Sequence, residues 1–575
     1  MGRGDPLNTP DQGIDLSSTT VSETLGSRLS IPGITVVMSI ASTGRRRLLR
    51  ALAVLGAGTA VTGFTPGARK PAAPDLCATP GAFDTPLHVP GGDGRMGRLA
   101  ADGRPVVLRA APYGRDGALA FAARADGRDY VDPTLVVGAG KRVEIRLENR
   151  LGEPTVAHWH GLTMDTANDG NGEALVEPGN SFDYAFAVRN RAGLYWYHPH
   201  PHGATAAQTC RGLFGLIAVE DDDELTLRAA LSLVPGETEI PLVLHDRRAD
   251  SPHRYSPSSE DLLLGWHGDE VLVNFTPRPY LDVTGRRYRF RVLNAGNARN
   301  FRLAFRRDDG APMPFLLLGT DGGLLERAQP CTEVFLSPAE RIDVLVDFAG
   351  IAVGGYALLE SRAFDPMHAL PARPAEPRAA RTGETHDMRT PAGPGGTSSH
   401  VADGTPLQLL QFRIRARDTA AVPPPPAQLS APPAPLPATD ERPLRLGFAK
   451  ARWRINDRVY DLSAVPIVVA RNAVETWLIR NYHTSMPHAM HLHGFQFRVL
   501  ERETSPDPLA SLVVDNRGRI ATDLGWKDTV LVWPGESVKV AIDFRHPFAG
   551  EQTYLFHCHN LEHEDGGMML RVKVG

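Results

Sequence analysis

Short runs of alternating apolar and polar residues dominate the chain. Arg142-Val-Glu-Ile-Arg-Leu147, Arg287-Tyr-Arg-Phe-Arg-Val-Leu293 and Ser537-Val-Lys-Val-Ala-Ile-Asp-Phe544 all have period two. Successive side chains of a strand face opposite ways, so each run reads as a half-buried β-strand. Gly and Pro punctuate the runs, and long helical periodicities are scarce. The pattern predicts an all-β sandwich or barrel architecture.

The pattern also repeats. Pro178-Gly-Asn-Ser-Phe-Asp-Tyr, Ser337-Pro-Ala-Glu-Arg-Ile-Asp-Val and Pro534-Gly-Glu-Ser-Val-Lys-Val resemble one another. Each precedes a second strand (Gly193-Leu-Tyr-Trp-Tyr, Gly355-Tyr-Ala-Leu-Leu, Thr553-Tyr-Leu-Phe) and follows a strand ending in Asn149, Asn294 or Asn481. Three copies imply three related β domains. We place them at residues 74–225, 226–418 and 444–575. A Pro/Gly-rich loop at 375–404 lies within the second, and a Pro-rich linker at 419–443 precedes the third. The first and last copies carry His clusters where the middle one has Asn, Arg and Phe. The outer domains are therefore expected to do the chemistry and the middle one to space them.

Composition narrows the class. Among 575 residues, 62 Lys and Arg oppose 66 Asp and Glu, a net charge of −4. No global basic field exists to hold nucleic acid. Four Cys (Cys77, Cys210, Cys331, Cys558) are too few for a disulfide framework, although one bridge is possible. Near the N-terminus, Arg45-Arg46-Arg47-Leu-Leu-Arg50 precedes the apolar run Ala51–Val61. That run is too short to span a bilayer comfortably and reads as the core of a signal peptide. The paired arginines resemble a twin-arginine export signal over residues 38–73, with residues 1–37 a non-native or disordered extension and Met38 the true start. A periplasmic or secreted protein without stable membrane insertion is expected.

His is the unusual residue, twenty in all and gathered largely in four clusters: His158-Trp-His160-Gly, His198-Pro-His200-Pro-His202, His488-Ala-Met-His491-Leu-His493, and His557-Cys558-His559-Asn-Leu-Glu-His563. On a strand each His-x-His pair presents two imidazoles to one face. Four such pairs supply eight imidazoles, enough for three metal ions. Parity sends Cys558 to the opposite face from His557 and His559, and sends His488 away from His491. His563 follows in a turn, and Met568 five residues later. Two His, one Cys and a distal Met form the trigonal blue-copper donor set with a weak axial thioether. Structural zinc favours paired Cys, which are absent here. An electron entering at the Cys558 sulfur can leave through the backbone to His557 and His559.

These clusters resemble the four copper motifs of the multicopper oxidases. The resemblance covers residues 85–575 and extends to Gly525-Trp-Lys-Asp-Thr-Val530 and His563-Glu-Asp-Gly-Gly-Met568, closest to the bacterial laccase-like and cuprous-oxidase group. It implies three cupredoxin-like Greek-key β-sandwich domains and four copper ions. His488, Cys558 and His563 would hold type 1 copper with Met568 axial, and His158 and His491 type 2. His160, His198 and His559 would hold one type 3 copper, and His200, His493 and His557 the other. His202 is no ligand in the family pattern, and Met569 is expected to pack. The resemblance also implies an oxidase, acting as a monomer, that takes electrons singly from phenols, aromatic amines or Cu(I) and reduces dioxygen to water. Asp169 and Glu564 occupy the family's proton-relay positions. The Met-rich insertion of the cuprous oxidases is replaced by Pro and Ala, and Thr484 stands where that group has an acidic residue. Met486 and Met367 could still offer thioether contacts. Three rivals deserve weight. A copper nitrite reductase is built from two-domain chains and needs a neighbour's His. A non-catalytic cupredoxin-like binding or division protein loses ligands, and none is missing here. A copper buffer would consume no oxygen.

Overall fold

The computed structural model describes residues 30–31, 34–35, 83–368, 401–418, 423–434, 436–437 and 439–575. The signal segment 38–73, nearly all of the extension 1–37, most of the loop 375–404 and Cys77 lie outside the described residues. Within the extension, Ser30–Ile31 and Ile34–Thr35 pair as a short antiparallel ladder.

The alternating runs form the three expected sandwiches. In the first, a six-stranded sheet centred on Pro105–Tyr113 and Arg142–Asn149 faces a five-stranded sheet centred on Gly193–Pro199 and Gly215–Glu220. The third has the same six-plus-five plan, built around Val474–Asn481 and Gln552–Cys558. The middle sandwich has two seven-stranded sheets. Each has its own apolar core, anchored by residues such as Phe121 and Tyr197, Phe290 and Phe412, and Trp477 and Phe556. This is the three-domain, all-β, Greek-key fold that the repeats imply.

The repeated asparagines have one job in all three copies. Asn149 donates to the carbonyls of Glu153 and Val176, at 2.9 and 2.7 Å. Asn294 donates to Arg299 and Leu336, at 2.8 and 3.1 Å. Asn481 donates to Met486 and Val532, at 2.8 and 3.0 Å. Each buried carboxamide ties the end of its strand to the entry of the next repeat motif by donating to two backbone carbonyls.

Two segments depart from the expected boundaries. Thr85–Pro86, assigned from sequence to the first domain, pairs in parallel with Pro279–Gly285 of the middle sandwich, and Leu87 enters the middle core. Two residues are too short a strand to declare a sheet by periodicity. The strand Glu441–Ala449 also begins inside the Pro-rich stretch read as linker, pairing with Val474–Asn481 on the far side of Pro443. Cys210, Cys331 and Cys558 are buried free thiols, so the one possible bridge does not join Cys210 to Cys331. Among the described residues no helix is long and apolar enough to cross a membrane.

Removing one asparagine clasp takes a side-chain donor from two backbone carbonyls, at about 1 kcal/mol for each hydrogen bond lost and more for a group left unsatisfied. Asn294→Ala should therefore lower the thermal midpoint of the metal-free protein while leaving metal stoichiometry unchanged. An unaltered midpoint in differential scanning calorimetry would show that the clasp contributes nothing.

Candidate metal centre

Strand register assembles the site. Ala157–His160 pairs antiparallel with Gly193–Pro199, setting His158 opposite His198. In the third sandwich His488–Leu492 pairs with Gln552–Cys558, setting His491 opposite His557 and Met490 opposite Cys558. The two ladders meet face to face. His493 stacks on His158 and His160 on His491, both at 3.8 Å between ring centres. His559 closes the nest, 5.0 Å from His160 and 5.2 Å from His198. Ligand atoms of His200, His493 and His557 lie within 4.8 Å of one another, as do those of His158, His160 and His198, and of His158, His491 and His493. All eight imidazoles are at most 1% exposed.

On the opposite face of the Cys558 strand, Cys558 Sγ lies 3.5 Å from His488 Nδ1 and 3.6 Å from His563 Nδ1. His563 sits in a short helix, Leu561–Asp565, rather than the expected turn, and Asn560 caps that helix. The Cys558 amide donates to the Met568 carbonyl at 3.1 Å, and the Met568 side chain is buried in the same core as Cys558. Met569 is also buried. His202 joins none of these groups: its ring lies 4.5 Å from Tyr460, and neither nitrogen has a hydrogen-bond partner. Met486 is part of the third core and Met367 packs on the Phe335–Trp533 cluster, so both serve packing.

The nest has the chemistry of a cation site. Desolvation, compounded by neighbouring imidazoles, drives His158, His160, His200, His491, His493 and His559 well below the ordinary histidine range. Burial brings His198 down to about 4 and His563 to about 3. The rings are thus neutral and offer lone pairs. Most Nδ1 groups face outward: His158 donates to the Asp169 carbonyl at 2.7 Å, His491 to the Asp528 carbonyl at 2.8 Å, and His493 to Asp169 Oδ2 at 2.9 Å. Each such bond fixes the proton on Nδ1 and turns Nε2 inward. Inside, Nε2 of His158 and His491 and both nitrogens of His200 and His559 are buried without partners. His493 Nε2 and His557 Nε2 are 3.0 Å apart, a separation that calls for a proton or a cation between the two nitrogens. Burial, with the nearby Glu564 and Glu562 carboxylates adding to it, raises the Cys558 thiol to about 12, so a bound cation would be needed to ionise it. The residues present fit copper at the Cys558 site and in the nest.

Asp169 and Glu564 both reach the nest. Asp169 ends the short helix Thr166–Asp169 and is fully buried, which pushes its carboxyl well above the ordinary range. A Cβ on Gly170 would stand 2.0 Å from the Ala157 carbonyl, so only glycine lets that helix approach the His158 strand so closely. Glu564 places Oε1 3.4 Å from His200 Nε2 and Oε2 3.2 Å from His557 Nδ1.

Sequence reasoning missed three contributors. Asp528 stands in the quoted Gly525–Val530 motif but drew no role, and its Oδ1 lies 3.1 Å from His160 Nε2. Glu562 accepts from Asn297 Nδ2, the Trp266 amide and Tyr255 Oη at 2.8, 2.9 and 3.2 Å, and burial lifts it to about 7. The Leu263 carbonyl accepts from His563 Nε2 and Trp453 Nε1 at 2.9 and 2.8 Å, covering the outer edge of that ligand. Asn297, Tyr255, Leu263 and Trp266 all belong to the middle sandwich, which therefore does more than space the other two. Their partners lie hundreds of residues away, so the sequence carried little signal for them.

Comparison with known proteins gives the same picture. Two family models described as multicopper oxidase match residues 125–224 and 434–575. The chain is 28% identical over 450 residues to the multicopper oxidase mco of Staphylococcus aureus, covering 78% of this chain and 82% of that one. It is 30% identical over 454 residues to the bilirubin oxidase of Albifimbria verrucaria, covering 76% and 70%. The crystal structure of the McoA multicopper oxidase from Aquifex aeolicus superposes with a TM-score of 0.72 at 32% identity, covering 85% of this chain and 99% of that one.

The two faces of the Cys558 strand make a separable prediction. Copper-loaded protein should be intensely blue from thiolate-to-copper charge transfer. Cys558→Ser should abolish the colour and lower the copper content by one equivalent while the nest remains loaded. Met568→Leu should raise the reduction potential of the blue site and Met568→Gln should lower it, whereas Met569→Leu should do neither. A potential that moves with Met569 alone would misassign the axial position.

Proposed function

The chain belongs to the multicopper oxidase family, and from that premise we propose that it holds four copper ions and passes electrons singly from phenols, aromatic amines or Cu(I) to dioxygen. Bound copper supplies the one-electron redox chemistry, and four such ions together hold the electrons that carry dioxygen to two waters. The observation that carries the reading is the single strand Gln552–Cys558 with the one residue after it. It offers Cys558 to one site and the flanking His557 and His559 to the other. In this reading His488, Cys558, His563 and Met568 hold type 1 copper, and His158 and His491 type 2. The sets His160, His198, His559 and His200, His493, His557 hold the type 3 pair.

The chain's own part is to exclude water, orient the imidazoles and deliver protons. Full burial of the nest excludes bulk solvent. Protons must nevertheless arrive, because oxygen reduction consumes them. Asp169 Oδ1 and both carboxylate oxygens of Glu564 are buried without hydrogen-bond partners beside the nest, which supports their role as the groups that hold and pass those protons. The enzyme works as a monomer, exported by the twin-arginine route to the periplasm or beyond.

An oxygen electrode tests the reading directly. Fully copper-loaded protein should consume oxygen with a methoxyphenol, bilirubin or Cu(I) as donor, and the panel ranks the donors. Binding of copper without oxygen uptake on any donor would make the chain a copper buffer instead. Glu564→Gln and Asp169→Asn keep size but remove the titratable carboxyl. At verified full copper loading, each should lower oxygen turnover by ~10²–10⁴-fold, while anaerobic bleaching of the blue site by donor stays fast. Normal turnover in both variants would assign the proton path elsewhere.

A further inference from the structure

The middle repeat motif carries an arginine where its siblings carry a serine. Aligning Pro178, Pro338 and Pro534 puts Ser181, Arg341 and Ser537 in one slot. The structure keeps that alignment. Each residue lies at the same antiparallel register, facing Glu148, Leu293 and Arg480 respectively. Two residues before it, Gly179, Ala339 and Gly535 share a left-handed conformation, with φ of 81°, 70° and 78°. The middle copy thus substitutes an arginine for a serine on an otherwise common frame.

That arginine is buried, 1% exposed, and every one of its side-chain N–H groups is used. Nε donates to the Leu194 carbonyl of the first sandwich at 3.1 Å. Nη1 donates to the Ala339 carbonyl and Nη2 to the Asp321 carbonyl, both at 3.0 Å. The remaining two form a fork on Asp528 of the third sandwich, at 2.7 and 2.6 Å. Asp528 Oδ1 in turn accepts from His160 Nε2 at 3.1 Å and from Thr529 Oγ1 at 3.0 Å. One guanidinium therefore spans all three domains beside the nest. The glycine that follows His160 makes room for it: a Cβ on Gly161 would stand 2.4 Å from Asp528 Oδ2 and 2.8 Å from Arg341 Nη2.

We propose that Arg341 is a positioning residue for oxygen reduction. Its fork holds Asp528 against His160 Nε2–H and so turns His160 Nδ1 toward the metal. This is the reverse of its neighbours His158, His491 and His493, which donate through Nδ1 and present Nε2. A carboxylate accepting from the non-ligating nitrogen fixes both tautomer and ring plane. A planar bidentate fork fixes the carboxylate as a single ammonium would not. The copper-free domain thereby sets the geometry of a ligand from the first domain through a carboxylate of the third. The role rests on the oxidase reading above.

Arg341→Lys keeps the charge and loses the fork. It should leave the blue absorption and the anaerobic reduction of type 1 copper as in the wild type. The paramagnetic type 2 signature and the near-ultraviolet band of the coupled pair should change. Copper retention by the nest and oxygen turnover should fall ~10–100-fold. Asp528→Asn should reproduce this spectroscopic pattern independently, which keeps the test alive if Arg341→Lys folds poorly. The double variant should be no worse than the more severe single one. Arg502→Lys breaks a comparable buried fork, on Asp523 at 2.7 and 2.9 Å, away from the nest. It should lower thermal stability without touching the cluster signature. An unchanged cluster signature in Arg341→Lys or in Asp528→Asn would overturn the role, as would equal losses at both copper centres. A copper-loaded wild type that lacks the cluster signature and takes up no oxygen would instead overturn the oxidase reading on which the role depends.

Discussion

Eight imidazoles packed together and sealed from water are the condition around which this molecule is built. A buried lone pair with no proton and no cation to meet is costly, and the nest concentrates such lone pairs on one another. The arrangement is tolerable without metal only because the outer nitrogens are tied down. Carbonyls of Asp169 and Asp528 and the Asp169 carboxylate hold three rings rigidly from behind. What faces inward is then a fixed set of donors with nothing to bind but metal, which is the preorganisation that a metal ion with strict demands on its ligands needs. Secondary structure serves this end. The antiparallel register that sets His158 beside His198 and His491 beside His557 is the same register that closes each sandwich.

Much of this was legible in the chain. Period-two runs gave the sandwiches, and the repeated Asn and Pro-Gly motifs gave their number, because both signals are local and recur. Parity on a strand placed Cys558 and His488 on the face opposite His491, His493, His557 and His559, since alternation is a property of the backbone alone. Other features depend on contacts distant in sequence. His563 could be read only as following the strand, and the helix that returns it toward Cys558 is capped by Asn560, a contact visible in hindsight. Thr85–Pro86 carries no alternation to read. Glu562 and the Leu263 carbonyl matter through partners some three hundred residues away, and a backbone carbonyl leaves no mark in a sequence at all.

The middle sandwich is the main revision of the sequence-based picture. Having no His pairs, it reads as a spacer. In the fold its Asn297 and Arg299 lie in the loop that leads into the strand Phe301–Arg307. Arg299 binds Asp246 and the carbonyls of Gly268 and Val401 within its own domain, whereas Asn297 crosses to Glu562 beside His563. The domain without copper became the frame against which both copper sites are registered.

The small strand Thr85–Pro86 changes how the chain is partitioned. Its residues belong to the middle sandwich, yet the whole first sandwich lies between them and the rest of that domain. In topological terms the first sandwich is an insertion into the second, and no single cut of the backbone yields the two as separate complete bodies. During synthesis the first sandwich is finished while its leading strand still waits for a partner nearly two hundred residues downstream. Thr85–Pro86 thus leaves the ribosome well before the strand it pairs with, and it fastens two domains together once that strand arrives.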